Sequence, residues 1–270
     1  MHILRLIFIA AAVGMLSAGC SSPDTRDTVG GDPPDGGFPT EAEPLNDGGL
    51  PTYKCRSATG PVKIDGLLDD AAWKDAPFSA RFIRRRYSVP DMPPNIRTRM
   101  KMLHDKHNLY VGVECSDSDI WSTFTERDDP VMFEEAAVVF VDPLGNGRDY
   151  YGFYVNPLNA MLDLKLPSST LEMRKKIWLE CTRWNGEGIE HAVQVDGTVN
   201  KRNDEDSGWT LEIKLPFDTL GVRPMPGDSW RVQVGRIKKP RMSVIGVLST
   251  WTNATVLHSA HDFGVLVFQE

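Results

Sequence analysis

Two pairs of aspartates, Asp117 with Asp119 and Asp204 with Asp206, place hard oxygen donors two residues apart, a donor type that calcium takes. Neither pair sits in an EF-hand loop, and each also suits a solvated turn. A second polar group flanks one apolar hairpin. Glu134, Glu135, Asp142, Arg148 and Asn156 stand at its ends, and polar groups at the rim of a rigid sheet are where binding residues usually sit. Among the seven Trp, Trp121 follows the first aspartate pair, and Trp251 lies in the loop-like Ser249-Thr250-Trp251-Thr252-Asn253. Either indole can be open to solvent or packed in a core, whereas Trp73, Trp209 and Trp230 are assigned to the core.

Few catalytic arrangements fit. The chain has no GxSxG, HExxH or phosphate loop. Glycoside hydrolysis needs two carboxylates roughly 5–10 Å apart across a cleft. Glu134, Glu135 and Asp142 are the available acids, with Glu135 the one to test as a catalytic group. Met100, Met102 and His104 keep open an electron-transfer alternative, with haem held between sheets. His104/His107 and His258/His261 lie in predicted turns, where a satisfied loop is the default. After Cys20 the cysteines are Cys55, Cys115 and Cys181, which allow one disulfide, with Cys55–Cys115 the favoured pair. No CxxC or Cys/His spacing suggests zinc.

Short strands must position these groups. Ala136 to Val141 is apolar on both alternating faces, the pattern of a central strand covered on both sides. Asp142-Pro143-Leu144-Gly145-Asn146-Gly147 breaks it, and the aromatic-rich segment from Tyr150 to Val155 returns. Further strands are expected at Pro61 to Gly66, Phe78 to Tyr87, Asn95 to Leu103, Leu109 to Cys115 and Met161 to Leu166. Others follow at Trp178 to Arg183, Ile189 to Val195, Trp209 to Leu215, Trp230 to Val234 and Phe263 to Phe268. Trp184-Asn185-Gly186 joins two of them, and Ser169 to Glu172 reads as a capping box opening a short helix. Many short strands and little helix argue for a β-sandwich.

The N-terminus carries an address. Leu6 to Leu16 is an unbroken apolar run, right for a signal peptide and too short to span a bilayer. It leads into Leu16-Ser17-Ala18-Gly19-Cys20, which resembles the bacterial lipoprotein box, where cleavage falls before the Cys and the thiol is lipidated. Residues 21–50 hold five Pro, six Gly and five Asp, and are expected to be a disordered tether spanning on the order of 30 Å. The net charge of −7 sits mostly there, which leaves −2 for residues 51–270 and no nucleic-acid footprint.

The order of signals over roughly residues 53–270 resembles carbohydrate-binding module family 9. The matching pieces are Ile64-Asp65-Gly66 with Ala72-Trp73, Leu109-Tyr110-Val111 followed by Asp117 and Asp119, and the strand from Glu134 to Pro143. Gly208 to Phe217, Pro226-Gly227-Asp228-Ser229-Trp230, and His258 with Phe263-Gly264 complete the set. The resemblance implies a jelly-roll or immunoglobulin-like sandwich that binds sugars, often beside glycoside hydrolases, with calcium in some members. Many members carry an acid two residues before the Phe of the central strand that can reach the sugar, where this chain has Val138. Sugars need aromatic faces for their CH surfaces and planar polar groups for their hydroxyls.

The resulting expectation is an all-β antiparallel sandwich with a few short helices at 51–270, behind a signal peptide at 1–20 and a tether at 21–50. It binds carbohydrate without catalysis at the bacterial cell envelope, in the outer membrane or periplasm, near a partner glycoside hydrolase. Trp121, Glu135, Arg148, Asn156, Trp251 and Asn253 are the expected ligand-binding residues, and Asp117, Asp119, Asp204 and Asp206 the expected calcium ligands. Cys20 is the lipidation site.

Overall fold

The computed structural model describes residues 49–80, 82–84, 96–167, 181–239, 247–254 and 257–270. The expected signal peptide, Cys20, nearly all of the tether, the capping box at 169–172 and most of the strand expected at 178–183 lie outside them. Cys181 is helical and Thr182 and Arg183 form a turn instead.

Twelve strands and two four-residue helices make up the described fold. In chain order they are β1 (Thr52–Ser57), α1 (Ala71–Lys74), β2 (Ile83–Arg84), β3 (Thr98–His104), β4 (Asn108–Ser116), β5 (Ala136–Asp142) and β6 (Tyr150–Val155). There follow β7 (Met161–Leu166), β8 (Glu190–Asp196), β9 (Gly208–Pro216), α2 (Phe217–Leu220), β10 (Ser229–Lys238), β11 (Val247–Thr250) and β12 (Gly264–Phe268). Hydrogen bonding follows one path, β7-β6-β5-β10-β12-β1-β3-β4-β9-β8, with β11 and β2 added beside β10. The seam is β1. Its first four residues pair in parallel with β12, from Thr52 opposite Val265 to Cys55 opposite Phe268, and its last two residues pair in parallel with β3. The remaining pairs are antiparallel. The sheet therefore curls into two facing layers, and β7 and β8 are its two outer edges.

Period-two alternation builds the core. Ala137, Val139, Val141, Phe153, Trp230, Val232 and Val234 from one layer meet Met100, Met102, Val111, Val113, Trp209, Leu211 and Ile213 from the other, all at most 2% exposed. The opposite face of β5 is also buried. Val138 and Phe140 pack there with Tyr150, Tyr154, Leu162, Leu164, Leu257 and Phe263. The central strand is covered on both sides, as its sequence requires, and Trp73, Trp209 and Trp230 are buried as expected.

Pro61 to Gly66 is not a strand. It crosses the outer face of the second layer, where Val62, Ile64 and Leu68 pack around Trp73, Leu103 and Tyr110. A side chain replaces the strand partner. The Glu212 carboxylate, fully buried on β9, accepts from the Asp65 and Gly66 backbone N–H groups (2.9 and 2.8 Å) and from Trp73 Nε1 (2.7 Å). Burial pushes its pKa up against the pull of these three donors. The favoured disulfide does not form. Cys55 and Cys115, like Cys181, are buried free thiols, and burial raises the Cys115 thiol to about 12.

Removing the Glu212 carboxylate strands three buried or half-buried donors, so Glu212→Ala should cost about 3 kcal/mol in urea unfolding and Glu212→Gln distinctly less. Equal losses for the two would contradict this clamp. Thiol titration in denaturant without reductant should return Cys55, Cys115 and Cys181 as reactive; a blocked pair would restore the disulfide.

Candidate functional site

Several of the expected site residues do converge, in the segment after β4, but on one another. Asp117 is 1% exposed. Its Oδ2 accepts from Arg236 Nη2 and its Oδ1 from Lys238 Nζ (2.8 Å). Lys238 also donates to the Asp119 carbonyl (2.7 Å) and pairs with the fully buried Glu135. Burial first, and then the Asp117 charge, push the Glu135 carboxyl up to about 9. Its second oxygen has no hydrogen-bond partner. Asp206 accepts from the Ile120 and Thr198 N–H groups (2.8 and 2.7 Å), and Asp204 is bound by Thr198 and Lys201.

The carboxylates of Asp117, Asp204 and Asp206 are thus engaged by cations, a hydroxyl and N–H groups. Among the described residues no three His, Cys, Asp or Glu side chains gather into a group that could hold a metal ion.

Asn156 is fully buried and fully committed. Its Nδ2 donates to Ser122 Oγ and the Phe124 carbonyl (both 2.8 Å), and its Oδ1 accepts from the Leu158 and Ala160 N–H groups (3.1 and 2.9 Å). Trp121 is half-buried, with Nε1 donating to the Lys239 carbonyl. Trp251 is not in an open loop. It is 4% exposed, edge-on to Tyr53, and packed where any Cβ on Gly264 would meet its ring at 2.3 Å. Arg148 and Asn253 are exposed but belong to separate turns.

The rival chemistries fare no better on these residues. Met100 and Met102 are fully buried in the core, and His104 is held by the Gln269 carbonyl (2.7 Å) against Phe268. Glu134 accepts from Ser122, Thr123 and Phe124, and Asp142 from Gly147, and both acids are buried. Val138, where the resemblance implies a sugar-reaching acid, is 0% exposed in the apolar cluster that includes Leu257. His258, half-buried, sits over Phe140 with its ring nitrogens at the Tyr150 and Tyr154 hydroxyls (3.5 and 3.0 Å).

An aromatic and polar cluster with unspent valences lies elsewhere, at the open edge between β7 and β8. Met161, Asp163 and Lys165 point to the inner side of β7. Asp163 is fully buried; its Oδ1 accepts from Arg127 Nη2 and its Oδ2 from the Gly186 N–H, both at 2.7 Å. Arg127 Nε also donates to Asn185 Oδ1 (3.1 Å). The half-buried indole of Trp184 leans on Tyr151 and Phe153, with ring centroids 5.0 and 6.2 Å apart. Lys165 Nζ sits 5.7 Å from the Tyr151 ring. From β8, His191 Nδ1 bonds Asn159 Oδ1 (2.8 Å). Burial and the Arg127 charge lower the His191 pKa, so the ring is neutral at neutral pH. Partial burial and the Asp163 charge raise Asp128. Asp128 and Asn159, at the flanks, take left-handed φ of 63° and 62°, which Asp and Asn tolerate best among side chains. No motif or spacing in the sequence singles out this cluster. Its one visible signal is a charge, Asp163, in the middle of the apolar segment Met161-Leu162-Asp163-Leu164.

Comparisons with known proteins agree with this fold. The model of the carbohydrate family 9 binding domain-like family matches residues 64–270. A protein of Bacteroides uniformis ATCC 8492, described as a candidate carbohydrate-binding protein, superposes with a TM-score of 0.59 at 13% identity, over 81% of this chain and 99% of its own. A family 9 module of Caldicellulosiruptor kristjanssonii, solved with cellotriose, gives 0.57 at 15% identity, over 81% and 93%. Its glucose complex gives 0.55 at 15%, over 80% and 96%. No curated sequence matches the chain.

The Glu135 shift has a pH signature. The folded protein holds this proton up to about pH 9, whereas an unfolded carboxyl releases it near 4.5. Stability from this group is therefore full below 4.5 and is lost as pH rises toward 9. Glu135→Gln, which mimics the protonated acid, should gain on the wild type across that window in denaturant titrations. A stability difference that does not change with pH would contradict it.

Proposed function

Because this chain belongs to the carbohydrate family 9 binding domain-like family, we propose that it is a non-catalytic module that captures saccharide at the β7–β8 edge. One observation carries the location. The half-buried Trp184 indole stands beside planar polar groups whose outward valences are unspent, while the other expected positions are buried, committed or isolated. An indole face suits the CH surface of a pyranose, and amide and guanidinium edges suit its hydroxyls. The relatives solved with cellotriose and glucose support the ligand class.

The cellular setting rests on the N-terminal sequence. A lipid on Cys20 would hold the module at the bacterial cell envelope, in the outer membrane or facing the periplasm, and residues 21–50 would let it reach a large ligand. Polysaccharide capture or breakdown beside a glycoside hydrolase is the role that fits this placement.

On a glycan array the full chain should bind saccharide, and Trp184→Ala should abolish binding while leaving the thermal midpoint within a few degrees. Binding untouched by Trp184→Ala would remove the site, and an array without any hit would remove the function. In cells, Cys20→Ser should move the protein from the membrane fraction to the soluble one; an unchanged distribution would refute the anchor.

A further inference from the structure

Arg127 carries more information than its ion pair. A guanidinium has a side-on edge, Nε with Nη2, and an end-on edge, Nη1 with Nη2. The side-on edge is spent inside the protein, with Nε on Asn185 and Nη2 on Asp163. The side chain is still 43% exposed, while its partner Asp163 is fully buried. The end-on edge thus belongs to a side chain that stays partly in water while a buried carboxylate pins its other edge. Other unspent groups stand around it: the Asn185 and Asn159 amide nitrogens and His191 Nε2. With Nδ1–H of the neutral His191 donating to Asn159, its Nε2 is an acceptor. The cluster thus offers a fixed fork of donors, further amide donors and one acceptor, beside an aromatic face.

We infer that Arg127 is the specificity-determining residue of this edge and that its end-on fork reads two adjacent hydroxyls of a neutral saccharide. The inference rests on the saccharide reading above and deepens it. Charge selects the neutral ligand. The Arg127 charge is already matched by Asp163, and Asp128 stands against the same carboxylate. A uronate at the fork would set a further negative charge beside these two acids. A hydroxyl pair uses the fork without that repulsion and can also donate to His191 Nε2. Asp163 is a positioning residue: it fixes the guanidinium and, through the Gly186 N–H, the turn that carries Trp184 and Asn185.

The test is calorimetric titration of the full chain, as wild type and Arg127→Lys, with cellotriose, xylotriose, mannotriose and trigalacturonate. The wild type should bind at least one neutral trisaccharide, and trigalacturonate at least about tenfold more weakly. Arg127→Lys keeps the charge and loses the fork, so it should weaken the neutral ligand by roughly tenfold while far-UV circular dichroism shows the fold retained. Trigalacturonate binding as tightly as the best neutral ligand overturns the inference, and so does wild-type affinity in Arg127→Lys. Both outcomes leave saccharide binding standing. If the wild type binds none of the four the inference also fails, and an array without hits then shows that the saccharide reading has failed with it.

Discussion

A carboxylate buried at an open edge has to be compensated, and the candidate site is the form that compensation takes. Asp163 lies on the inner side of an edge strand, with no exposed surface of its own. An isolated charge there would be costly to desolvate. It draws Arg127 from the segment before β5 and the Gly186 N–H from the turn before β8. Pinning that turn sets Trp184 against Tyr151 and Phe153, and turns the remaining hydrogen-bonding groups of Arg127 and Asn185 outward. One buried charge thereby brings together polar groups from both layers of the sandwich, with His191 arriving from β8.

Other buried acids serve the architecture. Glu212 substitutes for a strand partner and fastens the Ile64-Asp65-Gly66 segment and Trp73 onto the outer face of the second layer. Asp117 and Glu135 meet Arg236 and Lys238 at one end of the space between the layers, and tie the segment after β4 to β10. These groups are closed on themselves. Removing one partner would leave its mate buried and uncompensated, which is far more costly than an exposed pair. Asp163 differs because its cation is still partly in water.

Much of the fold was legible from alternation alone. The two-faced apolar run of β5, the aromatic return of β6 and the amphipathic β9 all appear where their patterns require. The parallel seam β1 was not legible, because Thr52 to Ser57 is short and its partners β12 and β3 lie far away in the chain. The same distance hid the fate of the polar residues. Asp117 resembles a calcium ligand until Arg236, 119 positions away, takes its oxygen. Asn156 resembles a hydroxyl partner until Ser122 and Phe124 use its amide. Trp251 reads as exposed because its neighbours are polar, yet Gly264 leaves it a slot in the core. Local composition reports how polar a segment is; it does not report which partner the fold delivers. Asp163 was the exception, since a lone charge between buried leucines demands a partner wherever it comes from.

Val138, which stands where the resemblance implies a sugar-reaching acid, is buried in the apolar cluster that includes Leu257. A binding role in this chain then depends on another surface, and the β7–β8 edge is the described one that combines an indole face with outward-facing hydrogen-bonding groups. A crystal structure of the protein with a bound neutral oligosaccharide tests this most directly. The expected result is a pyranose ring stacked on Trp184 with two of its hydroxyls at the Arg127 guanidinium. Sugar found over Val138 and Phe140, or at Trp121, would contradict it.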